Sequence, residues 1–317
     1  IKLESIMKSD VWNQWRQQRS RIIVWQTKAI AAIFSPIFKM AKLRLKTLLN
    51  DNTIYADGIR PDQLCARLKS VNKPVQFFED DLEKQDRQTD DNIINVEFEM
   101  YRLLGISDYV LNSWRQIHYR WRWKSKHNWG TRHSMRQTGS PTTALGNLIT
   151  NMQIHADLVL KNMHNIGLIL MLGDDNLIVM VNSNIQLGNY HKDVRSLFNM
   201  VSKEACNNYF GNFCGMIAYK TATGFCGIGP DLVRLKLRYE VTNGVSESND
   251  ENTKMRMMSY CMMLGDTPEV KRIIEKNKLP IEPYSWYDWP DLITALSQKY
   301  QVTNEVIENE YLTLINY

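Results

Sequence analysis

The sequence lacks the patterns of disulfide-stapled, zinc-binding and membrane-spanning proteins. Its five cysteines are odd in number and form no Cys-x-x-Cys pair, which argues against a disulfide framework and a zinc site and fits a reducing compartment. His155, His164 and His191 also lack metal-ligand spacing, so we expect structural roles for them. No apolar run approaches the roughly 18 residues of a membrane-spanning helix, and we expect no transmembrane segment.

A strong excess of either charge is also missing. The net charge is +5, and the 44% hydrophobic and 23% charged residues are typical of an ordinary globular protein. This mild bias permits a polyanionic partner without requiring one. The 317 residues suffice for a large core and more than one subdomain. Because the chain starts at Ile1 without an initiator Met or a signal-peptide pattern, we expect it to be a piece of a larger protein.

Two apolar runs between Ile166 and Ser183 flank the tripeptide Gly173-Asp174-Asp175. Short apolar runs interrupted by a Gly-Asp step predict a buried hairpin. Two carboxylates at its tip repel each other unless a cation lies between them, and a divalent ion that prefers oxygen ligands would relieve this repulsion. An ordinary turn, in which Asp and Gly are common, is the alternative for these three residues alone.

An acidic stretch follows a predicted strand that begins at Val75. If this strand ends in Asp81, its carboxylate could lie beside the hairpin tip. Asp86, five residues later, would then lie one turn further along, near a substrate rather than a metal ion. A solvated acidic loop is the alternative.

Residues 135–160 are predicted to run from a loop into a helix. Thr138-Gly139-Ser140-Pro141 supplies turn residues and a helix start. Thr143 and Asn147 then lie four residues apart on one helical face. Simple capping of the helix explains such a polar pair equally well.

Basic and aromatic residues alternate from Trp114 to Arg136. This composition is typical of surfaces that hold single-stranded nucleic acid, although a half-buried strand pair with cation–π contacts would have it too. The first 50 residues are also basic and aromatic. They predict a short strand at 21–25 and an amphipathic helix at 28–50 with Pro36 near its start, whose basic face meets either phosphates or solvent.

The remaining segments are mostly predicted helices. Helices are expected at 59–71, at 92–105 with its end at Gly105, and at 192–206. A second hairpin is expected at 212–229, and the last part is expected to be helical with an exposed loop at 243–254.

Taken in order, three groups of residues resemble motifs A, B and C in the palm of viral RNA-dependent RNA polymerases. These groups are Asp81 with Asp86, Thr138-Gly139 with Thr143 and Asn147, and Gly173-Asp174-Asp175. Within that family the sequence is most similar to the alphavirus-like group, of which tobamoviruses and bromoviruses are members. Residues 24–38 and 6–10 resemble segments ahead of motif A, and the likeness covers about residues 2–229.

The sequence departs from that group at three places. Ser140-Pro141 stands where those replicases usually have an acidic residue, Gln85 replaces an aromatic residue, and Arg87-Gln88-Thr89 replaces a Lys-Ser-Gln run. None of these departures removes a predicted metal ligand.

The resemblance implies an α+β fold with the right-hand architecture of fingers, palm and thumb, and an antiparallel palm sheet that carries the Gly-Asp-Asp hairpin. It places the fingers at 1–70 with an insertion at 113–133, the palm at 71–112 and 134–229, and the thumb at 230–317.

The implied activity is template-directed nucleotidyl transfer by two Mg²⁺ ions about 3.5–4 Å apart, with Mn²⁺ as a possible substitute. Asp81 and Asp174 are the expected direct ligands, with Asp175 close to the second ion. Few protein ligands suffice, because Mg²⁺ also binds waters and substrate phosphates.

The remaining expected roles also follow from the resemblance. Asp86 and Asn147 would bind the ribose 2′-hydroxyl, which distinguishes RNA from DNA, with support from Thr143, and Gly139 would be the hinge of the motif B loop. Basic residues are expected to neutralise the triphosphate or to protonate pyrophosphate; the former are Lys8, Arg21 and Lys28, and the latter is Lys203 in the helix after motif C.

The expected partners are an RNA template, the nascent strand and NTPs. Methyltransferase and helicase domains of a replicase are expected beside this chain, in a membrane-associated complex in the host cytoplasm. Two alternatives stay open: a reverse transcriptase, against which Asp86 and Asn147 argue, and a catalytically inactive RNA-binding module.

Overall fold

The computed structural model describes residues 2–4, 21–240 and 250–315. Within these ranges the strands are β1 (Lys2–Glu4), β2 (Arg21–Ile23), β3 (Thr53–Tyr55), β4 (Gln76–Leu82), β5 (Arg120–Lys124), β6 (Trp129–His133), β7 (Ile166–Leu172), β8 (Asp175–Met180), β9 (Ser202–Asn207), β10 (Phe210–Phe213), β11 (Met216–Lys220) and β12 (Cys226–Pro230). The helices are α1 (Lys28–Leu48), α2 (Pro61–Leu68), α3 (Gln85–Gln88), α4 (Asp91–Leu103), α5 (Asp108–Tyr119), α6 (Thr143–Asn162), α7 (Tyr190–Phe198), α8 (Leu232–Glu240), α9 (Asp250–Leu264), α10 (Pro268–Asn277), α11 (Trp289–Tyr300) and α12 (Asn304–Ile315).

The chain divides into two compact units. Unit 1 contains Ile1–Tyr55, Asp80–Asn176 and Ile185–Ala205, and unit 2 contains Ala56–Glu79, Leu177–Asn184 and Cys206–Tyr317. Every predicted catalytic and nucleotide-binding residue that the structure describes therefore belongs to unit 1.

Aromatic packing between helices forms part of the core of unit 1. Phe34 and Phe38 of α1 lie 4.6 and 5.0 Å from the ring of Trp114 on α5, and Phe38 also meets Tyr101 of α4 at 5.0 Å. Trp114, which the sequence grouped with the basic-aromatic stretch, is thus a core residue. The predicted position of Pro36 near the start of α1 is wrong, because the helix begins at Lys28 and Pro36 lies in its interior.

The central sheet has the strand order β3-β7-β8-β4-β9. Strands β4 and β8 pair antiparallel, as the predicted sheet requires, but β3 and β7 pair parallel, with Thr53 opposite Ile169. A parallel pair needs a long crossover connection, and the chain between Tyr55 and Ile166 supplies one. The sheet is therefore mixed rather than wholly antiparallel.

The predicted helix at 192–206 is wrong in its second half. Helix α7 ends at Phe198, and Asn199 adopts the left-handed conformation at φ 51° that commonly ends a helix. The chain then forms strand β9 from Ser202. The predicted loop at 243–254 is wrong from residue 250 onward, where α9 begins, and its first seven residues lie outside the described ranges.

Unit 2 combines a small sheet with helices. Strands β10, β11 and β12 form an antiparallel sheet in that order, which is one strand more than the hairpin predicted at 212–229. A buried cluster joins this sheet to the helices that follow it; its members include Ile217, Tyr219, Leu232, Leu264, Leu292 and Leu296.

Two further expectations concern cysteines and membrane helices. The five cysteines, all of them in described segments, form no disulfide with one another. Among the described helices, none combines the length and the apolar character needed to cross a membrane.

Candidate active site

The acidic residues lie at the ends of two neighbouring antiparallel strands. The register of β4 and β8 sets Gln76 opposite Met180 and Glu79 opposite Leu177. Continued by two residues, it sets Asp81 opposite Asp175. Opposite residues on antiparallel strands project to the same face with Cβ atoms about 4.5–5.5 Å apart. The side chains of Asp81, Asp174 and Asp175 are exposed.

Two buried asparagines connect these strand ends to helix α6. The Asn176 side-chain amide donates a hydrogen bond of 2.7 Å to the carbonyl of Asp80 and lies 3.4 Å from Oδ1 of Asn151. The Asn151 amide donates to the carbonyls of Gly173 and Asp174, at 3.3 and 3.1 Å. The residue before Asp81 and the turn that carries Asp174 are thus held by the same pair of side chains.

Asp80 points away from Asp81, since successive strand residues face opposite sides, and it is buried. Its carboxylate accepts hydrogen bonds from Tyr190 at 2.5 Å, Ser202 at 2.8 Å and the backbone N–H of Lys203 at 3.1 Å. Burial raises the pKa of this carboxyl, but its bonds and charge interaction with His155, together with the Tyr190 and Ser202 hydroxyls, outweigh burial and lower the pKa overall.

Asp86 and Asn147 are brought together, as the sequence predicts. Nδ2 of Asn147 donates to Oδ1 of Asp86 at 2.8 Å, and the Asn147 carbonyl accepts from Nε2 of Gln85 at 3.1 Å. Asn147 is buried, and its Oδ1 atom accepts no hydrogen bond from any residue that the structure describes. A buried carbonyl oxygen without a donor is costly, so this position is suited to a ligand hydroxyl.

The loop before α6 is fixed by the segment at residues 24–25. The N–H of Gly139 donates to the carbonyl of Val24 at 2.7 Å, and the N–H of Val24 donates to Oγ1 of Thr138 at 2.9 Å. A Cβ atom on Gly139 would lie 2.8 Å from that carbonyl oxygen, so glycine permits this close approach. Oγ1 of Thr143 accepts from the N–H of Ser140 and donates to the carbonyl of Gln137, which is a local capping role.

A buried ion pair lies behind Asp86. The guanidinium of Arg136 donates two hydrogen bonds to the carboxylate of Glu97, at 3.1 and 2.5 Å, and the N–H of Arg136 donates to the carbonyl of Asp86 at 3.1 Å. Gly146 of α6 lies against this pair, where a Cβ atom would approach Glu97 Oε1 to 2.3 Å. The pair thus packs against the motif B helix and holds the backbone of Asp86.

Lys203 lies on strand β9, so its predicted place in a helix is wrong. The pairing of β9 with β4 in the sheet, together with the bond of its N–H to Asp80, overrides the helix-forming character of the local sequence. Its ammonium lies 3.4 Å from Oε2 of Glu83. Hydrogen bonds from Lys84 and then from Lys203 lower the pKa of Glu83.

The predicted triphosphate-binding residues are only partly described. Lys28 is the exposed first residue of α1. Arg21 lies on β2 opposite Glu4, and only its backbone is described. Lys8, with the whole segment 6–10, lies outside the described residues. Their role therefore stays a prediction.

The basic-aromatic stretch forms a two-stranded ribbon with two different faces. The register pairs Arg120 with His133, Arg122 with Thr131 and Lys124 with Trp129; all six side chains are exposed. On the other face Trp121 is buried, and its indole N–H donates to the carbonyl of Ser134 at 2.9 Å. The half-buried strand pair expected as the alternative is present, and the binding of single-stranded nucleic acid by its exposed basic face stays a prediction.

The acidic residues fit a divalent ion held by few protein ligands. Among the described side chains, no group of three or more His, Cys, Asp and Glu residues is arranged to hold a metal ion. Mg²⁺, however, is usually held by one or two carboxylates together with substrate phosphates and waters. Two facing carboxylates destabilise a strand pair without a cation, so Asp81 and Asp175 fit such an ion. The predicted role of Asp174 as a direct ligand beside Asp81 stays a prediction.

Several site residues were missed from the sequence. They are Asp80, Asn151, His155, Asn176 and Tyr190. One signal was available, since Asn151 lies four residues after Asn147 on the same helical face. The partners of Asp80 come from segments more than 70 residues away and carry no local pattern.

The fold is that of viral RNA polymerases. The crystal structure of the RNA-dependent RNA polymerase of a human picorbirnavirus is similar, with a TM-score of 0.59 and 10% identity over 83% of this chain and 52% of that chain. An insertion-loop deletion mutant of such a polymerase also gives 0.59, with 12% identity over 95% of this chain and 60% of that one. At such identities the likeness shows the fold alone.

The family follows from the sequence match. Residues 2–243 match the model of the family described as RNA dependent RNA polymerase, and the chain belongs to this family of nucleotidyltransferases. Its relatives include the replicase large subunits of Tobamovirus Ob, 24% identical over 221 residues, and of Youcai mosaic virus, 26% identical over 226 residues. Each alignment covers 68% of this chain but only 13% and 14% of those relatives. The resemblance to the alphavirus-like group is confirmed.

Proposed function

We propose that this chain catalyses template-directed transfer of NTPs to an RNA 3′ end, for replication and transcription of a viral genome. The observation that carries the proposal is the antiparallel register of β4 and β8, with Glu79 opposite Leu177. Continued by two residues, this register would bring Asp81 opposite Asp175, beside the turn of Asp174. Family membership supports it and implies dependence on a divalent metal in general. In this proposal β7, Gly173-Asp174 and β8 are the palm hairpin, and the predicted boundaries of fingers, palm and thumb apply.

The carboxylates of Asp81 and Asp175, with Asp174 beside them, would hold Mg²⁺ or Mn²⁺. When bound, such ions activate the attacking 3′-hydroxyl and stabilise the leaving pyrophosphate. The chain's own contribution is positioning and electrostatics, which supply most of the rate in phosphoryl transfer. Asn151 and Asn176 hold the backbone on both sides of the acidic pair, so the carboxylates are preorganised before substrate binds.

Selection of ribose is assigned to Asp86 and Asn147. The 2′-hydroxyl both donates and accepts hydrogen bonds, and the buried Oδ1 of Asn147 is an acceptor without a donor within the described segments. A ribonucleotide would satisfy this atom, whereas a deoxyribonucleotide would leave it unpaired. This preference is what distinguishes the proposal from a reverse transcriptase.

Binding of the RNA strands is assigned to the exposed face of the β5–β6 ribbon. Cationic side chains there would contact phosphates, and Trp129, 82% exposed, would stack on a base. The sequence between Asp108 and Asp157 contains no acidic residue, so nothing on this segment opposes a polyanion. Replacing Arg122 and Lys124 by Ala should weaken RNA binding. The slope of the logarithm of the binding constant against the logarithm of the salt concentration should become less steep by about 0.7 for each lost phosphate contact.

The wider setting is also part of the proposal. Because the relatives are replicase large subunits, the chain would act with methyltransferase and helicase domains, in a membrane-associated complex of the host cytoplasm. Within the chain, Lys8, Arg21 and Lys28 would neutralise the triphosphate, Lys203 would protonate pyrophosphate, and Gly139 would be the hinge of its loop.

Extension of a primed RNA template by the full chain tests the function. With NTPs and Mg²⁺, the wild type should extend the primer, and Asp81→Asn and Asp174→Ala should each lower the rate at least about 100-fold, as loss of transition-state stabilisation predicts. Asp51→Asn, at an exposed turn, is the matched control. Unchanged incorporation by Asp174→Ala would refute the assignment. Equal use of dNTPs would favour a reverse transcriptase, and no metal-dependent incorporation by the wild type would favour an inactive module.

A further inference from the structure

We propose that Asp80, His155 and Tyr190 are positioning residues, whose buried network fixes Asp81 relative to the turn of Asp174. The inference rests on the proposed function, and it assigns roles to three side chains that touch neither substrate nor metal. The side chains of Asp80 and His155 are both 0% exposed, and Tyr190 is 5% exposed. Three charged or polar groups at this depth are costly unless they are mutually satisfied.

Residue 80 is held by groups from several elements at once. Oδ2 of its carboxylate accepts from the hydroxyl of Tyr190 on α7 and lies 3.4 Å from Nε2 of His155 on α6. Oδ1 accepts from Ser202 and from the N–H of Lys203 on β9. Its backbone carbonyl accepts from Asn176 on β8. Asp81 is the next residue of the strand, so these bonds also fix the backbone from which its side chain projects.

The donors and acceptors around His155 assign its protons. Nδ1 lies 2.8 Å from the carbonyl oxygen of Asn151, which can only accept, so Nδ1 carries a proton. The single hydroxyl proton of Tyr190 is donated to Asp80, so the Tyr190 oxygen, 2.9 Å from Nε2, accepts from that nitrogen. His155 is thus held between the carbonyl of Asn151 and the hydroxyl of Tyr190, beside the buried carboxylate of Asp80.

The same network reaches the turn of Asp174. The carbonyl of Asn151 accepts from His155, and its side-chain amide donates to the carbonyls of Gly173 and Asp174. Asn176 joins Asn151 to the carbonyl of Asp80 and completes a closed ring of contacts. Removing one side chain of this ring should therefore shift Asp81 relative to the turn of Asp174. Loss of a side chain that only packs locally would leave these two positions unchanged.

The test compares Tyr190→Phe and His155→Gln with Tyr109→Phe in the full chain. Tyr109 is 83% exposed, so its variant controls for loss of a tyrosine hydroxyl. We expect each network variant to lower kcat at least about tenfold, equivalent to about 1.4 kcal/mol, while the KM for NTP changes less than about twofold. Direct binding of Mn²⁺, measured by electron paramagnetic resonance, should weaken severalfold in the network variants, and circular dichroism reports whether they are folded.

Two results would overturn the inference. One is that both network variants bind Mn²⁺ and incorporate nucleotides as the Tyr109→Phe control does. The other is that they unfold at lower temperature while kcat and Mn²⁺ affinity of the folded protein stay at wild-type values. If the wild type itself incorporates no nucleotide, the proposed function fails, and the Mn²⁺-binding comparison still decides between positioning and plain structural roles.

Discussion

Removal of Glu97 alone should destabilise the protein strongly, because it leaves Arg136 charged and buried. The two side chains are 3% and 2% exposed and form a two-point contact. Breaking such a pair from one side costs about 3–5 kcal/mol. Tyr101, whose hydroxyl donates to Glu97 at 2.5 Å, would lose its partner as well. We therefore expect Glu97→Ala to lower the free energy of unfolding by that amount in a urea titration followed by circular dichroism.

Two further variants make this reasoning refutable. The double variant Glu97→Leu with Arg136→Met replaces both charges by apolar groups, and such replacements are often neutral or stabilising. Arg102→Ala removes an exposed pair with Glu99 and Asp108, with 48% exposure of the arginine side chain, and should cost less than about 1 kcal/mol. Two results would refute this explanation. One is that Glu97→Ala lowers the free energy of unfolding no more than Arg102→Ala does, and the other is that the double variant is as unstable as Glu97→Ala. Either result would mean that the unpaired buried charge of Arg136 does not cause the loss of stability.

Three other predictions follow from single contacts. Asn147→Ala should reduce the preference for NTPs over dNTPs, measured as the ratio of kcat/KM values, by about 10- to 100-fold, because a buried acceptor left without a donor costs about 1–3 kcal/mol. Gly139→Ala places a Cβ 2.8 Å from the carbonyl of Val24, and overpacking of this kind should lower stability by about 1–3 kcal/mol in thermal unfolding. The hydrogen bond from Arg60 lowers the pKa of Asp62 to about 2, so its NMR titration should move up towards the ordinary value of 3.8 in Arg60→Ala. The stability from this bond is present above pH 4 and lost as the pH falls through 2, and it is small because Arg60 is 69% exposed.

The residues that local pattern could predict are those whose role depends on their immediate neighbours. The apolar runs around Gly173 predicted β7 and β8 because buried strands need short, continuous apolar sequences. The spacing of Asp81 and Asp86 placed one at a strand end and the other on the short helix that follows. The spacing of Thr143 and Asn147 set them on one helical face, and the role of Asn147 came from the resemblance to motif B.

The residues that pattern could not predict depend on distant partners. Asp80 looks like one more acid in an acidic stretch, and it becomes a buried carboxylate through distant partners that include Tyr190 and Ser202, more than 100 residues away. Lys203 was placed in a helix because Lys, Glu and Ala favour helices, but pairing in the sheet decided otherwise. The parallel pairing of β3 with β7 likewise has no signature in three residues of sequence.

The close contact between Gly139 and Val24 has a mechanical consequence. Residues 24 and 25 run alongside the loop, with a bridge between Trp25 and Gly139. Both the N–H and the carbonyl of Val24 form hydrogen bonds with this loop. A displacement of residues 24 and 25 would therefore also move the loop that leads into Asn147. Under the role proposed for Asn147, a change in these two residues should alter the preference for NTPs over dNTPs without touching the nucleotide itself.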